Sequence, residues 1–230
     1  ADAEVGLWPF SPHEPKVIDP RVRSPLMQAA VSGDVAMLDA ALAADEARVD
    51  ETDARGMSAL MQAAHCGHAE FISALLARAK REFRRLVQEN MDMNAEFQRV
   101  LEFGLLDEPP AQDAAAIEAA AAAELHDYML RVDASGTSAL AYACREAKTA
   151  AARAVLAAMS DAPHKLAELV ALTDDSGNTA LAQACQACAE AELVDLLLDA
   201  GAEPVDGLRY ALRSGLHGDG ILSTGRRYRV

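Results

Sequence analysis

The apolar positions of the chain recur in a fixed frame. A leucine is followed by a small residue three positions later, and by glycine or another small residue seven positions later. The frame begins at Leu26, Leu60, Leu140, Leu181 and Leu208. A longer stretch with large apolar residues at helical spacing follows in at least two copies, at 71–76 and 193–198. The pattern predicts a repeated pair of helices and therefore an all-α fold.

A second fixed element precedes three copies of the frame. The segments DARG, DASG and DDSG place an aspartate three residues before a glycine, and the glycine lies four residues before the leucine. The pairs are Asp53 and Gly56, Asp133 and Gly136, and Asp174 and Gly177. Aspartate closes turns through its side chain and glycine adopts positive φ, so a tight turn is expected here. A hydroxyl residue then precedes the helix (Ser58, Ser138 or Thr179), where it can cap free backbone N–H groups.

Turn, short helix, glycine turn and longer helix together resemble the ankyrin repeat. The family pattern runs G-x-T-P-L-H-x-A-x-x-x-G-H, and GMSALMQAAHCGH and SPLMQAAVSGD are close matches. The resemblance implies an ankyrin-type helical solenoid. The family's histidine after the leucine is replaced here by Met27, Met61, Ala141 and Ala182. Because that histidine usually ties neighbouring turns by hydrogen bonds, we expect less rigid turns.

The gap between Leu60 and Leu140 is 80 residues (140 − 60), whereas a standard repeat has about 33. In the favoured interpretation, Phe97, Val100 and Gly104 fit the frame in degenerate form, and 92–132 is a divergent repeat with a DEPPAQD loop between its helices. Asn90, Asp92 and Asn94 are poor mid-helix residues, which favours a break there.

The alternative interpretation is an inserted helical hairpin. Its first helix has an apolar seam at three- and four-residue spacing, which packs on a face of the second helix or on another molecule. The seam comprises Phe83, Leu86, Asn90, Met93, Phe97 and Val100, and the opposite face comprises Ile117, Ala121, Leu125 and Tyr128.

The expected architecture is an ankyrin-type solenoid with degenerate, elongated middle repeats and helical extensions. The expected segments are a Pro-rich N-terminal segment (1–23), two repeats (24–52 and 53–91, the latter with a long second helix), the degenerate repeat or insertion (92–132), two further repeats (133–173 and 174–204), and a partial C-terminal capping repeat with a basic tail (205–230).

Composition excludes several classes of function. The net charge of −15 and the lack of a long basic run argue against a nucleic-acid partner. The chain has four cysteines and no signal-like apolar segment, which favours a reducing, intracellular and cytoplasmic location. No apolar run approaches the roughly 18 residues of a membrane span, so no membrane association is expected.

Candidate chemistry is sparse. Cys185 and Cys188 form a CxxC, but both occupy small-residue slots of the frame, so we expect packing and not zinc or redox chemistry. His68 matches the family's Gly-His and is expected to make a structural hydrogen bond. The segment GDGILSTG lacks the Gly-Lys-Ser/Thr of a phosphate loop. We therefore expect no enzyme activity, metal or cofactor.

In the ankyrin family, partners usually meet the turn tips and the outer side of the first helices. The resemblance carries these positions to Arg55, Met57, His65, Cys66, Ser135, Thr137, Arg145, Glu146, Ser176, Asn178 and Gln186. Arg55, Met57 and Arg145 are the expected energetic anchors, since arginine and other large side chains dominate interface energies. The predicted function is a non-catalytic scaffold or adaptor that binds a protein through a concave face. A permanent architectural subunit of a larger assembly, or the ankyrin part of a larger signalling protein, are alternatives.

Overall fold

A computed structural model describes residues 24–43, 48–101, 114–187 and 189–204, with the backbone alone for 94–101. Within these residues the predicted all-α fold is confirmed. The helices are α1 (Pro25–Ser32), α2 (Val35–Leu42), α3 (Ala59–Cys66), α4 (Ala69–Leu101), α5 (Ala114–Leu130), α6 (Ala139–Arg145), α7 (Thr149–Ala158), α8 (Pro163–Ala171), α9 (Ala180–Gln186) and α10 (Ala191–Asp199). None of these helices is both long and apolar enough to cross a membrane.

Hydroxyl side chains start the first helix of each repeat. Ser58 Oγ accepts a hydrogen bond from Met61 N at 3.3 Å, and Ser138 Oγ accepts one from Ala141 N at 3.2 Å. Thr179 Oγ1 caps α9 in the same way. The predicted caps are confirmed, and each satisfies one of the backbone donors that a helix leaves open at its start.

The predicted Asp-Gly turns are also confirmed. Asp53 Oδ1 accepts hydrogen bonds from Arg55 N at 2.8 Å and from Met57 N at 2.9 Å. Asp133 and Asp174 accept the equivalent pairs. The three turn glycines have φ between +72° and +76°, the left-handed region in which a Cβ is strained.

Backbone hydrogen bonds join neighbouring turns directly. Ala134 N donates to Arg55 O at 2.8 Å, and Asp175 N donates to Ser135 O at 3.0 Å. The turns are therefore tied together although methionine or alanine replaces the family's histidine. The turns stay connected through their backbone even though the histidine hydrogen bonds are lost.

The helices stack in two layers. The first helices pack in the order α1, α3, α6, α9, and the second helices in the order α2, α4, α7, α10. The four frame leucines in the described residues are at most 2% exposed, and the alanine three positions after each is fully buried. Alanine lets helix backbones approach closely, while burying each leucine contributes about 1.5–3 kcal/mol.

Within the described residues α3 packs directly on α6, so the copies that begin at Leu60 and Leu140 are neighbours in the stack. The helix break expected near Asn90, Asp92 and Asn94 is wrong, since α4 runs unbroken from Ala69 to Leu101. Asparagine and aspartate each cost less than about 0.7 kcal/mol in a helix. The arginine, glutamate, glutamine, leucine and methionine residues around them favour the helix and outweigh that cost. At 33 residues α4 is about 50 Å long.

The inserted hairpin describes this region better. Helix α5 packs along α4, with the Phe83 and Tyr128 rings 5.9 Å apart and Arg84 Nη1 2.8 Å from Glu118 Oε1. The predicted α5 face is buried at all four positions: Ile117, Ala121, Leu125 and Tyr128. Among the described seam positions of α4, Phe83 is buried and Leu86 is half-buried, whereas Met93 is 57% exposed.

Several expectations fall outside the described residues. They concern the Pro-rich segment 1–23, the DEPPAQD loop, the C-terminal capping repeat and tail (205–230), and the side chains of Phe97 and Val100. The segment boundaries predicted from the sequence stay predictions.

A buried charge cluster fixes the insertion to the first repeat. Arg48 Nε and Nη2 donate to the two carboxylate oxygens of Asp50, both at 3.0 Å. Arg131, just after α5, donates from Nη1 to Asp50 O at 3.3 Å. Burial and the neighbouring Asp50 charge raise the pKa of Glu82, which lies on α4. Loop, α4 and α5 therefore meet around one buried aspartate, whose side chain is 4% exposed.

Ala147 has a strained backbone conformation, which can be tested by substitution. Its φ is +52°, at the position where earlier repeats have Gly33 and Gly67. An L-residue there is strained by about 1–2 kcal/mol, partly offset by the lower unfolded-state entropy of alanine. We expect Ala147→Gly to raise the free energy of unfolding by about 0.5–1 kcal/mol, measured by urea denaturation.

The matched control is Gly67→Ala, which should destabilise the chain. Gly67 has φ +88°, and a Cβ there would lie 2.8 Å from Lys148 Cδ. An Ala147→Gly variant no more stable than the wild type would show that the strain inferred at this position is absent.

Glu82 gives a pH-dependent prediction. Because its folded-state pKa is raised, the folded chain binds more protons than the unfolded chain between the two pKa values. The ionised carboxylate therefore costs stability above the folded pKa, and this cost disappears as pH falls toward the unfolded value. We expect Glu82→Gln to raise Tm at about pH 7, with a smaller gain at about pH 4, measured by circular dichroism.

Glu89→Gln is the control for Glu82→Gln, since Glu89 lies on the same helix with its side chain 57% exposed. It should leave Tm nearly unchanged at both pH values. An equal gain from Glu82→Gln at both pH values, or a loss at neutral pH, would contradict the burial argument.

Candidate functional site

The predicted partner-binding residues lie at the turn tips and in the last turns of α3, α6 and α9. We call this surface the recognition face. Six of the predicted residues are exposed: Arg55, Ser135, Arg145, Glu146, Ser176 and Gln186. Three are partly exposed: His65, Cys66 and Asn178. These nine positions stay predictions as contact residues.

Met57 and Thr137 are wrong as contact residues. They are only 6% and 2% exposed. Both directly follow the turn glycine, where the chain enters the helix and the side chain faces inward. Met57 joins the hydrophobic core, and Thr137 Oγ1 lies 2.9 Å from Ser135 Oγ. At the same position of the third Asp-Gly turn, Asn178 donates from Nδ2 to Asp174 Oδ2 at 3.3 Å. The residue after the turn glycine therefore stabilises the core or the turn.

Four side chains from two repeats meet at the centre of the recognition face. The His65 ring from α3 contacts the Tyr142 ring from α6 edge to face, with centroids 5.7 Å apart. The Arg145 guanidinium lies over the Tyr142 ring, 4.4 Å from its centroid. Glu146 Oε1 lies 3.5 Å from His65 Nδ1 and 3.7 Å from Arg145 Nε. We call these residues the central cluster.

Tyr142 is the member that the sequence analysis missed. It occupies the second position after the frame leucine, where three other copies have Gln28, Gln62 and Gln183 and the copy at Leu208 has Tyr210. An aromatic residue in a slot that three copies fill with glutamine was the available signal.

The Tyr142 hydroxyl links the central cluster to the turn. It donates to Asp133 Oδ2 at 2.6 Å, as Gln183 Nε2 does to Asp174 Oδ2 at 2.9 Å in the next repeat. Burial alone would raise the pKa of Asp133, but hydrogen bonds from Tyr142, Ser135 and Thr137 outweigh it and hold the pKa below its ordinary value. Burial and the donated hydrogen bond raise the pKa of Tyr142. The tyrosine is therefore held neutral, with its ring fixed under Arg145.

His68, Cys185 and Cys144 have structural roles. His68 Nε2 lies 3.0 Å from Val31 O, which confirms the predicted hydrogen bond. Cys185 packs against the core, as its small-residue slot predicts, whereas Cys188 lies outside the described residues. Burial raises the pKa of Cys144 to about 12, so this thiol stays protonated and unreactive. In the part of the chain that the structure describes, no group of three or more His, Cys, Asp or Glu side chains is arranged to hold a metal ion.

Comparison with known proteins gives the family. Residues 6–99 match the family model described as ankyrin repeats, in three copies. No curated protein matches the chain. Ankyrin repeats are generally protein–protein interaction modules. The copies that begin at Leu140 and Leu181 lie beyond the matched residues, yet they have the same Asp-Gly turn, hydroxyl cap and helix pair. The matched residues are ankyrin repeats, and the helices that the structure describes form an all-α ankyrin-type solenoid.

Proposed function

We propose that the chain is a non-catalytic scaffold or adaptor of the cytoplasm, which binds a protein partner through the recognition face. The observation that carries the proposal is the central cluster. It presents a guanidinium stacked on an aromatic ring, at a junction between two repeats and on an exposed surface. Tyrosine and arginine are among the side chains enriched at the hot spots of protein interfaces.

Pre-organisation supports this role for the central cluster. The Tyr142 ring is held by its hydroxyl, and Arg145 is held over it while its side chain remains 42% exposed. Ordering a free arginine at an interface costs about 0.5–1.5 kcal/mol, and a stacked guanidinium has already met part of that cost. The Nη atoms of Arg145 therefore remain a suitable donor for a carboxylate or backbone carbonyl of the partner.

Arg55 extends the same surface toward the tips. Its side chain is exposed on the turn, and its carbonyl oxygen accepts a hydrogen bond from Ala134 N at the tip of the neighbouring repeat. The turns hold both arginines on one framework, so a partner can meet them without reordering the backbone.

The proposal assigns no chemical step to the carboxylates of the turns. Asp53, Asp133 and Asp174 already accept two backbone hydrogen bonds each, so they serve the fold. The cytoplasmic location rests on the cysteine composition, and the reduced thiol of Cys144 in the interior is compatible with it.

Arg55→Ala with Arg145→Glu tests the recognition face. Truncating one hot-spot arginine and reversing another should weaken partner binding at least about tenfold, since one hot spot alone is worth about 2 kcal/mol. A photocrosslinking residue replaces Gln186, which is exposed on the recognition face, and in a second protein replaces Ala157, which is exposed on α7. Each is irradiated in an extract of the source cells. We expect the residue at position 186 to crosslink to a protein and the residue at 157 not to. The crosslink from 186 should be lost in Arg55→Ala/Arg145→Glu.

The control variant is Arg153→Glu with Lys165→Ala, which changes the net charge equally but lies on α7 and α8. Circular dichroism should give all three chains nearly the same Tm, because none of the altered side chains is buried. A lowered Tm in Arg55→Ala/Arg145→Glu with crosslinking unchanged would refute the proposal. Crosslinks from 157 and from the α4–α5 insertion in place of 186 would favour the architectural-subunit alternative.

A further inference from the structure

Helix α4 has a concentrated basic surface in an acidic protein. Of the 21 lysines and arginines in the chain, five lie between residues 78 and 85, whereas the net charge is −15. Arg78 turns toward α2, where Nη2 lies 2.6 Å from Asp39 Oδ1. The other four are exposed and form what we call the basic face: Lys80, Arg81, Arg84 and Arg85.

The helix places these four cations next to one another. Lys80 and Arg84 are four residues apart, as are Arg81 and Arg85, so they form two adjacent rows with about 6 Å between successive cations along the axis. The opposite side of the same helix is buried through Ala79 and Phe83. The packing therefore fixes which side of α4 faces outward, and all four cations lie on it.

The acidic residues nearby neutralise this surface only weakly. Arg84 pairs with Glu118, and Arg85 Nε lies 3.7 Å from Glu89 Oε1, with all four side chains at least 42% exposed. Arg81 Nε donates to Ala77 O at 3.2 Å. Among the described residues Lys80 has no ion-pair partner within 4.0 Å. Exposed ion pairs contribute little and exchange easily, so an incoming anion can replace them.

We propose that the basic face is a second docking surface, which binds an acidic peptide segment of a partner protein. Carboxylates on alternate residues of an extended peptide are about 6–7 Å apart, which matches the spacing of the cations along α4. The surface lies on a second helix of the stack and shares no residue with the recognition face. An adaptor with both surfaces would hold two partners, or one partner at two points.

Charge favours a short acidic segment over a large polyanion. A duplex or an anionic membrane presents many charges to the whole protein, and the net charge of −15 repels them at long range. A segment with a few carboxylates needs only the four local cations. Salt screens charges more than about 10 Å away, so most of the protein's negative charge repels such a segment only weakly. A protein with a net charge of −15 should not bind an acidic peptide through its overall charge. Binding of such a peptide would therefore be due to the basic face.

The test uses the full chain and a fluorescent twelve-residue peptide of alternating glutamate and serine. Binding is measured by fluorescence anisotropy at about 50 mM salt, where charge interactions are only partly screened. The variant is Lys80→Gln with Arg85→Gln, since neither side chain is buried and glutamine retains helix propensity. The matched control, Arg153→Gln with Lys165→Gln, removes the same charge from α7 and α8. A peptide with glutamine in place of glutamate is the ligand control.

We expect the glutamate peptide to bind the wild type, and Lys80→Gln/Arg85→Gln to weaken it about fivefold or more. The α7–α8 control should change the affinity less than twofold, and higher salt should weaken binding in the wild type. Circular dichroism verifies that both variants are folded. Equal weakening by both variants, or no binding by the wild type, would overturn the proposal. Stronger binding of single-stranded RNA or phosphatidylserine vesicles than of the peptide, lost in the same variant, would replace it with a different partner class.

Discussion

The Asp-Gly turn is the constraint on which the rest of the structure depends. One aspartate carboxylate oxygen accepts two amides of its own turn, and the turn then accepts an amide from the next one, as between Arg55 and Ala134. This backbone contact fixes the distance between neighbouring repeats at their tips. The buried alanines of the first helices then fit that distance, because a larger side chain would hold the helix backbones apart. Local turn chemistry and helix packing thus require the same spacing.

The same constraint explains how the stack tolerates a large insertion. Helix α4 leaves the stack and α5 returns to it, while the contacts from α3 to α6 and from Arg55 to Ala134 remain those of adjacent repeats. The return is anchored where Arg131 reaches the buried Asp50 and where Tyr128 packs on Phe83. In a solenoid each repeat contacts only its neighbours, so extra length on a second helix need not disturb the stack.

Features that depend on a few neighbouring residues, such as helix caps and turns, could be predicted from the sequence. Caps and turns follow from residue types at fixed offsets, and Ser58, Asp53 and Gly56 were found that way. The secondary structure of 92–132 could not be predicted from such local rules. An asparagine within a helix costs little free energy, and neighbouring residues of high helix propensity outweigh that cost. At the site, register placed His65 and Arg145 on one surface. It did not reveal that Met57 faces inward, since burial depends on the direction of the chain after the glycine. Tyr142 was missed because only the stacked repeats bring it beside His65.

Tyr142 shows how stability and recognition share one side chain. Its hydroxyl completes the hydrogen bonds of Asp133, which hold the turn, while the face of its ring supports the Arg145 guanidinium. The basic face has no such coupling, because Lys80 and Arg81 project from a helix whose buried side is formed by other residues. Substitutions at Lys80 and Arg81 can therefore alter charge with little effect on folding, whereas changes at Tyr142 act on both properties. The central cluster is thus tied to the framework, whereas Lys80 and Arg81 of the basic face can vary in charge without altering the framework.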